Sequence, residues 1–356
     1  MTKENKIGKR RWTAIILLLA LLILTQIPLP YYYSQPGDAT SLRNMVTVEN
    51  GYEEQGEFYL TTIRQRRANI PLFIWAQFSP YRNITPSEQF LREGETDEEY
   101  FHRQEMLMTS AQEDAKLTAY KAAGFPYEVD VLGVRVTQII DEMDAANHLE
   151  EGDLIKEING QSFESLEEMN ELLESKKAGD EVEVTLIRND NTEAVTVEMD
   201  TFPEELGADG RAGLGLLYPF TQRNVQFDPN VSIEAGAIGG PSAGLMFSLE
   251  IYNQLTEEDL TDGFHIAGTG TIDEEGKVGR IGGINQKIVA ADNENVDIFF
   301  APDDDMASPS NYEMAVKTAK DIGSDMEIVP VKQFEDALKY LENRQEEKKV
   351  HEGKAS

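Results

Sequence analysis

Two short stretches of the chain place a serine and a lysine in settings suited to nucleophilic chemistry. Residues 237–244 read Ala-Ile-Gly-Gly-Pro-Ser-Ala-Gly, so Ser242 lies among three glycines and a proline. After the serine, apolar residues recur at helical spacing at Leu245, Leu249 and Tyr252. This spacing predicts a turn that leads into a helix N-terminus, where unpaired N–H groups and the helix dipole favour a developing oxyanion. Ser242 is the candidate nucleophile.

Lys287 is the candidate base, because it lies inside an apolar stripe. Residues 281–288 read Ile-Gly-Gly-Ile-Asn-Gln-Lys-Ile, and Lys287 shares one predicted helical face with Ile284, Ile288 and Ala291. Burial disfavours a charged ammonium. The pKa of such a lysine therefore falls from its usual value near ~10.4 toward the ~7 to 8 at which a neutral amine accepts a serine proton.

Each stretch also has an ordinary structural interpretation. Gly-Gly-Pro-Ser is a common turn and helix cap, and a lysine beside an apolar face usually extends its amine to water. His265 is a competing candidate for the base. A phosphate-binding loop of the P-loop type is excluded, because no Gly-Lys in the chain is followed by serine or threonine.

The two motifs, in this order and at this separation, resemble the proteolytic domain of Lon-type Ser/Lys peptidases. The resemblance implies that Ser242 attacks the peptide carbonyl from a motif that includes Gly240 and Pro241. It implies that Lys287 is the general base. It also implies that Thr269, in the strand before the lysine stretch, orients the lysine amine.

One residue departs from the family pattern. ATP-dependent members often have an acidic residue just before Gly-Pro-Ser, whereas this chain has Gly239 in the corresponding place. The departure bears on regulation by that carboxylate and leaves the serine and lysine unaffected. The resemblance further implies a possible homo-oligomer, since Lon-type domains tend to form rings. We expect no cofactor and no requirement for ATP.

The composition excludes several classes of partner and of chemistry. The 356 residues carry 65 acidic and 32 basic side chains, a net charge of −33, which argues against a nucleic-acid partner. The chain has no cysteine, so thiol catalysis, disulfides and thiolate-bound metals are excluded. Its four histidines show no metal-ligand spacing, and we expect no metal site.

The N-terminal region has the pattern of a membrane anchor. A basic tail, residues 1–11, precedes an uncharged run over 12–33 that is predicted to be one transmembrane helix. Tyr31, Tyr32 and Tyr33 would form an interfacial belt, and the basic flank would remain in the cytoplasm, with the catalytic body outside the cell membrane. A cleavable signal peptide is the alternative, although no small-x-small cleavage site follows the run.

The juxtamembrane region, residues 34–124, contains no catalytic constellation. Residues 44–64 read as a pair of strands separated by a polar turn, and we suspect that this pair completes the sheet of the protease domain. Three arginines and the aromatic stretch Ile70–Tyr81 follow, and that stretch could be an interfacial helix. Residues 97–121 read as a long helix ended by Gly124.

Residues 125–200 resemble a PDZ domain of the kind associated with bacterial proteases. The run Leu-Glu-Glu-Gly-Asp-Leu-Ile-Lys-Glu-Ile-Asn-Gly at 149–160 carries the resemblance. The resemblance implies that Leu132, Gly133 and Val134 form a carboxylate-binding loop. A peptide would then add as a strand between this loop and a predicted helix at 166–175. The alternative is a β-rich spacer that binds nothing.

The remaining chain alternates apolar strands with helices, which predicts an α/β (α+β) arrangement over 201–343. A charged tail, 344–356, is predicted to be disordered. The fold class is thus an α/β (α+β) Lon-type proteolytic domain with a β-rich PDZ domain and one transmembrane helix. The catalytic block is short for a complete domain of this type, so we suspect that the PDZ domain is inserted into it.

The sequence favours a membrane-anchored, ATP-independent serine endopeptidase acting on peptides or unfolded, membrane-proximal proteins. Trypsin-like PDZ proteases are excluded because their Gly-x-Ser-Gly-Gly motif and upstream His/Asp pair are absent. Carboxyl-terminal processing peptidases combine PDZ and Ser/Lys elements but use a different serine motif. The non-enzyme alternative is a PDZ scaffold that carries a catalytically inactive protease fold.

Overall fold

A computed structural model describes residues 12, 15–16, 24–91, 95–203, 210–217, 219–304 and 308–355. The chain divides into two compact units, and each is described separately below. Unit 1 combines residues up to 126 with residues from 228 onward, and unit 2 comprises residues 127–227. Unit 2 therefore interrupts unit 1 along the chain.

The first segment of unit 1 contributes the following strands and α-helices. Its elements are β1 (Pro28–Ser41), β2 (Val46–Val48), β3 (Glu57–Asn69), α1 (Ile70–Ala76), β4 (Asn83–Pro86) and α2 (Asp97–Ala123). Helix α2 begins at a capping box, in which Thr96 and Glu99 bond each other's backbone amides, and ends at Gly124 in the left-handed conformation. It spans the helix predicted at 97–121.

Unit 2 is a sheet-rich domain that also contains the helix α3. Its elements are β5 (Tyr127–Arg135), β6 (Gln138–Ile139), β7 (Leu154–Ile158), β8 (Gln161–Ser162), α3 (Leu166–Glu174), β9 (Glu181–Arg188), β10 (Asn191–Glu198), β11 (Asp200–Thr201), β12 (Ala212–Gly213), β13 (Leu216–Leu217) and β14 (Phe220–Phe227). Its main sheet has the order β10-β9-β7-β5-β14. Alternate valines of β9, Val182 and Val184, pack into its apolar core with Met169 of α3.

The second segment of unit 1 completes a mixed sheet. Its elements are β15 (Val231–Ile233), α4 (Gly244–Leu255), β16 (His265–Gly268), β17 (Thr271–Ile272), β18 (Val278–Gly279), α5 (Ile284–Asn293), β19 (Ile298–Pro302), α6 (Asn311–Ile322), β20 (Glu327–Val331) and α7 (Phe334–Ala355). The sheet order is β20-β19-β16-β3-β1-β4, and β16 runs parallel to both β3 and β19.

The centre of this sheet is apolar on both faces, because helices cover it. Phe58 of β3, Ile266 of β16 and Phe299 and Phe300 of β19 are all fully buried. A continuous apolar run is typical of a strand buried on both faces. The sheet thus gives the serine and lysine helices a rigid support built from both segments of unit 1.

The strand pair predicted at 44–64 is wrong in its pairing. The second member is present as β3 and lies in the central sheet, next to β16. The first member, β2, pairs instead with β15 across 180 residues of sequence, with Val46 opposite Ile233. The hydrophobic pattern predicts a strand but carries no information on its distant partner.

The compact unit that contains the predicted PDZ domain extends beyond the boundary predicted at residue 200. Strand β14 lies in the predicted protease domain, 201–343, yet it pairs with β5 from Phe220 opposite Arg135 to Phe227 opposite Tyr127. Unit 2 therefore extends to residue 227 rather than 200.

The charged tail predicted to be disordered at 344–356 continues α7 as far as Ala355. Glutamate, lysine, arginine and glutamine have high helix propensity. Gln345 is buried, and its side chain donates a hydrogen bond to the carbonyl of Asp259, while Lys348 pairs with Asp262 at 2.8 Å. These contacts stabilise a segment that lacks an apolar repeat.

Part of the predicted transmembrane span, 12–33, lies outside the described residues, which omit 13–14 and 17–23. Among the residues that are described, no helix combines the length and apolar character needed to cross a membrane. Residues 28–33 belong to β1 rather than to a helix, because Pro28 and Pro30 are incompatible with a helix interior. Tyr32 and Tyr33 are buried, so the predicted interfacial belt of tyrosines is wrong.

Candidate active site

Ser242 lies in a tight turn immediately before α4. Gly240 has φ 88°, in a region that side chains disfavour, and a short 3-10 turn over Pro241–Ala243 leads into the helix. The amide of Gly240 donates a hydrogen bond to the carbonyl of Gln104 in α2, at 2.8 Å. A Cβ atom on Gly239 or Gly240 would lie 3.1–3.2 Å from the Gln104 side chain. The glycines therefore allow α2 to press against the serine turn.

The carbonyl of Ser242 is held from the side opposite α2. The amide of Gly270 and the hydroxyl of Thr269 both donate to this carbonyl, each at 2.9 Å. The amide of Leu245, in the first turn of α4, donates to the carbonyl of Gly270 at 3.2 Å. These bonds fix the backbone of the serine turn while the side chain stays partly exposed.

Lys287 is presented by the first turn of α5. Gly283, in the left-handed conformation with φ 69°, caps the helix, and the amide of Lys287 bonds its carbonyl at 3.1 Å. The neighbours Ile284 and Ile288 pack into the apolar core against Phe299. Lys287 itself is 3% exposed. The lysine side chain therefore extends through protein rather than toward water.

The amine of Lys287 meets two oxygen atoms. Its Nζ lies 2.9 Å from Oγ of Ser242 and 2.7 Å from the carbonyl oxygen of Thr61 in β3. The Thr61 hydroxyl donates to the carbonyl of Gly268, the last residue of β16, at 3.2 Å. The amine is thus held at hydrogen-bond distance from the serine by a strand of the central sheet.

Burial lowers the pKa of Lys287 from its usual value to about 7. A substantial fraction of the amine is then neutral at physiological pH. A neutral amine has a lone pair and can accept a proton from a serine hydroxyl 2.9 Å away.

Asn311, at the start of α6, clamps the glycine loop that precedes α5. Its side chain accepts a hydrogen bond from the amide of Ile281 at 2.8 Å and donates one to the Ile281 carbonyl at 3.1 Å. Asn311 is completely buried. Sequence reasoning missed this residue, because a lone asparagine at a helix start is typical of an ordinary cap.

Of the sequence-predicted site residues, the structure brings Ser242, Lys287, Thr269, Gly240 and Pro241 together. The role predicted for Thr269 has a different geometry, because its hydroxyl bonds the serine carbonyl rather than the lysine amine. The carbonyl of Thr61 binds the amine instead. No sequence signal could have identified Thr61, since the contact uses a main-chain atom that every residue possesses.

His265, the competing base, lies at the start of β16, whereas Thr269 follows the end of that strand. A strand rises by about 3.3 Å per residue, so the two residues are separated by roughly 13 Å. The imidazole is exposed and packs against the ring of Tyr59, 5.6 Å between centroids. This position does not favour His265 as the base for Ser242.

In unit 2, the residues predicted to form a carboxylate loop belong to β5. Val134 is opposite Thr221 and Gly133 is opposite Gln222 in β14, and Leu132 lies at the bulge that follows. The hydroxyl of Thr221 also accepts a hydrogen bond from the amide of Leu166 at the start of α3, at 2.9 Å. The edge predicted to receive a peptide strand is therefore already paired with β14.

No group of three histidine, cysteine, aspartate or glutamate side chains is arranged to hold a metal ion within the ranges that the structure describes.

Two parts of the chain are similar to known protein families. Residues 221–343 match the Lon protease (S16) C-terminal proteolytic domain, and residues 105–199 match the PDZ domain. The Lon protease of Metamycoplasma arthritidis is 31% identical over 114 residues, which are 32% of this chain and 13% of that protein. The Lon protease of Mycoplasma pneumoniae is 33% identical over 118 residues, 33% of this chain and 14% of that protein.

This chain thus spans about a seventh of the length of these relatives. A solved PDZ domain of an SdrC-like protein from Listeria monocytogenes is 32% identical, with a TM-score of 0.23, and covers 25% of this chain and 90% of that one. Residues 221–343 are thus similar to the proteolytic domain of Lon proteases, and residues 105–199 are similar to a PDZ domain.

Proposed function

We propose that this protein is an ATP-independent serine endopeptidase that uses Ser242 and Lys287 as a catalytic dyad. The observation that carries the proposal is the 2.9 Å separation of the lysine Nζ and the serine Oγ, with the amine buried and its pKa lowered to about 7. A hydroxyl beside a neutral amine, at the start of a helix, has the components of an activated nucleophile.

In the proposed reaction Oγ of Ser242 attacks the scissile carbonyl carbon while Lys287 takes the hydroxyl proton. The resulting ammonium then gives a proton to the leaving amine, and an acyl-enzyme ester remains. A water molecule attacks this ester, again with Lys287 as base, and the serine hydroxyl is restored. The carbonyl of Thr61, 2.7 Å from Nζ, orients the amine through these steps.

The oxyanion would be stabilised by backbone amides of the serine turn that leads into α4. Neither the 3-10 turn at Pro241–Ala243 nor α4 has a side chain that caps its first amides. Such amides, together with the helix dipole, favour negative charge on a substrate oxygen.

We propose that substrates are peptides or unfolded proteins near a membrane surface outside the cytoplasm. Support comes from the basic residues before Trp12 and from the uncharged run that follows, a pattern typical of an anchor with its N-terminus in the cytoplasm. The chain has no P-loop motif, so we propose that tightly folded proteins are not substrates.

The PDZ domain would assist substrate recognition. A peptide that adds to β5 as a strand must displace β14, because β14 is hydrogen-bonded along β5 from Phe220 to Phe227. This requirement would restrict binding to peptides that compete with an internal strand.

A fluorophosphonate probe on the full chain tests the proposal. We expect covalent labelling at one residue, identified as Ser242 by peptide mass spectrometry, and cleavage of an unfolded substrate at a rate unaffected by ATP. The Ser242→Ala variant is the control and should not be labelled. A folded chain that neither reacts nor cleaves would contradict the proposal and would favour the inactive PDZ scaffold.

The anchor has a separate test. External protease added to intact cells should degrade the body of the protein, and the mature chain should retain its N-terminal residues. Protection of the body, or a mature N-terminus after Pro30, would contradict the proposed topology.

A further inference from the structure

An exposed apolar surface lies on α1 and the turn after it. Phe73, Ile74, Trp75 and Phe78 are 36%, 55%, 50% and 73% exposed, and they fall within six consecutive positions. We call these four residues the aromatic surface. Single exposed apolar residues are ordinary, whereas a contiguous patch rich in aromatic rings marks a contact with another phase or molecule.

The inner side of α1 is anchored in unit 1. Leu72 packs against a small core of Tyr33, Ala68 and Ala76. Asn69 caps the helix, with its side chain accepting a hydrogen bond from the amide of Leu72 at 3.0 Å. The aromatic surface is therefore held outward by a folded support.

The chain segment that carries the aromatic surface is basic whereas the whole chain is acidic, although Arg64 and Arg67 in this segment pair with Asp38 and Asp97. No aspartate or glutamate occurs between Glu57 and Glu88, although the chain has 65 of them, and this interval contains four arginines. The guanidinium of Arg82 stacks over the ring of Trp75 at 4.3 Å. Indole rings beside a cation are suited to the boundary between lipid headgroups and acyl chains.

The aromatic surface adjoins the end of the apolar N-terminal run. The side-chain amide of Asn69 donates a hydrogen bond to the carbonyl of Thr25 at 3.0 Å, and Pro28 is opposite Asn69 in the β1–β3 pair. The residue that caps α1 therefore also binds the chain directly after its most apolar stretch, residues 14–24. If the N-terminal run spans a bilayer, the aromatic surface lies next to the point where the chain emerges from the bilayer.

We propose that the aromatic surface inserts into the headgroup region of a bilayer containing anionic lipid, with Arg82 facing the lipid phosphates. This inference rests on the membrane anchoring proposed above. It gives unit 1 a fixed orientation on the membrane. Gln286, the residue before Lys287, donates hydrogen bonds to the Tyr81 carbonyl at 3.0 Å and to Ser34 at 3.1 Å, so the dyad helix is bonded directly to the lipid-facing segment.

The absence of cysteine makes a site-specific test direct. Phe78→Cys in the full chain, labelled with an environment-sensitive fluorophore, is reconstituted in liposomes of phosphatidylcholine and phosphatidylglycerol that carry a lipid-bound quencher. The matched control is Val316→Cys on α6, an exposed apolar position of the same unit. We expect at least a roughly twofold loss of emission at position 78, since interfacial residues lie about 5–10 Å deep, and no change at 316.

The outcomes distinguish a failure of the proposed lipid contact from a failure of the proposed anchor. Chains that remain in the liposomes after an alkaline wash but show no quenching at position 78 would overturn the aromatic surface alone. Chains that the wash removes would overturn the anchor and this inference together. Energy transfer between labelled copies that rises with the protein-to-lipid ratio, without quenching, would assign the surface to a second copy of the chain and would also overturn the inference.

Activity gives an independent measurement. Trp75→Ser combined with Phe78→Ser should lower cleavage of a lipid-tethered peptide while leaving cleavage of the same soluble peptide unchanged. Equal effects on both peptides would contradict the inference. An inactive parent that still shows quenching at position 78 would refute the proposed protease function and leave the lipid contact standing.

Discussion

Unit 1 buries two ionisable groups on the helices that flank its active site, and their surroundings differ. Lys287 on α5 is held by two oxygen atoms and reaches a partly exposed serine. Glu250 on α4, the helix that follows Ser242, is fully buried beside the carboxyl of Glu54. Burial lowers the pKa of the lysine and raises the pKa of both carboxyls, so each group is pushed toward its neutral form.

The partners of the buried groups distinguish Lys287, the candidate base, from the carboxyls of Glu54 and Glu250. Oε2 of Glu250 is buried and makes no hydrogen bond within the described part of the chain, whereas Oε1 of Glu54 lies 3.4 Å from Nε of Arg43. The side chain of Gln254 donates to the other oxygen of Glu250 at 2.6 Å. A shifted pKa is common to both sites, but only the lysine faces a nucleophile that a substrate can reach.

The largest expected effect tests whether Lys287 acts as the base for Ser242. Ser242→Ala, Lys287→Ala and Lys287→Arg should each lower kcat/KM on an unfolded peptide by on the order of 10³- to 10⁶-fold, because the pair acts as a unit and a guanidinium does not release its proton. The double variant should be hardly worse than either single variant. Thermal unfolding of each variant shows whether the fold is retained.

Lys317→Ala, which removes an exposed lysine on α6, is the matched control and should keep the activity of the parent. Because the pKa of Lys287 is lowered to about 7, kcat/KM of the parent should rise with pH through about 7 and then level off. Near-normal turnover of Lys287→Arg, together with loss of activity in His265→Ala, would refute the lysine as base.

The next largest effect is the pH dependence that Lys287 gives to the stability of the folded chain. Lys287 has a folded pKa below its unfolded value, so the unfolded chain binds more protons between about 7 and ~10.4, and stability rises with pH across this window. Lys287→Met removes the cost of the buried charge but leaves the Thr61 carbonyl without its partner. We expect the variant to be more stable than the parent by ~2–4 kcal/mol at pH 6.

Urea unfolding at several pH values measures this difference, and Lys317→Met is the control for a surface lysine. The gain should shrink as pH rises above about 7 and should disappear only above pH ~10.4, where the unfolded lysine also loses its proton. A gain independent of pH would show that packing, rather than charge burial, determines the effect.

The sequence identified Ser242 and Lys287, which lie 2.9 Å apart in the structure, but not the groups that hold them. Ser242 and Lys287 were identifiable because a serine among glycines and a lysine in an apolar stripe contradict the usual preferences of those residues. The pairing of β2 with β15 depends on strand neighbours far apart in sequence, which periodicity does not encode. The contact of Thr61 with the amine depends on a backbone carbonyl, which has no residue signature.

The carboxyls of Glu54 and Glu250 make folding stability depend on pH in the opposite direction from Lys287. Folded pKa values raised above those of the unfolded chain mean that the folded state holds more protons above pH ~4.3, so stability falls as pH rises through the folded pKa values. Glu250→Gln keeps the acceptor for Gln254 and cannot ionise. We expect its stability advantage over the parent to be about 1–2 kcal/mol larger at pH 8 than at pH 5.

Unfolding curves of the parent and of Glu250→Gln at pH 5 and pH 8 measure this effect. Glu313→Gln, at an exposed position in the first turn of α6, is a control for the loss of one charge. Equal stability of parent and Glu250→Gln at both pH values would show that the carboxyl pair does not titrate in this range.

The smallest expected effect separates positioning of the serine from tuning of the lysine. The Thr269 hydroxyl donates to the Ser242 carbonyl at 2.9 Å, on the same acceptor as the Gly270 amide, while Thr61 holds the lysine amine. Thr269→Val removes one of the two bonds to that carbonyl and keeps the shape of the side chain. The loss of one hydrogen bond, about 0.5–1.5 kcal/mol, should lower kcat by roughly 2- to 10-fold.

The pH at which kcat/KM reaches half its maximum should stay at the parent value, because Thr269 does not contact the amine. Thr269→Ser, which keeps the hydroxyl, should restore most of the activity. A displaced pH midpoint in Thr269→Val would instead assign this threonine to the lysine, the role that the sequence resemblance implies.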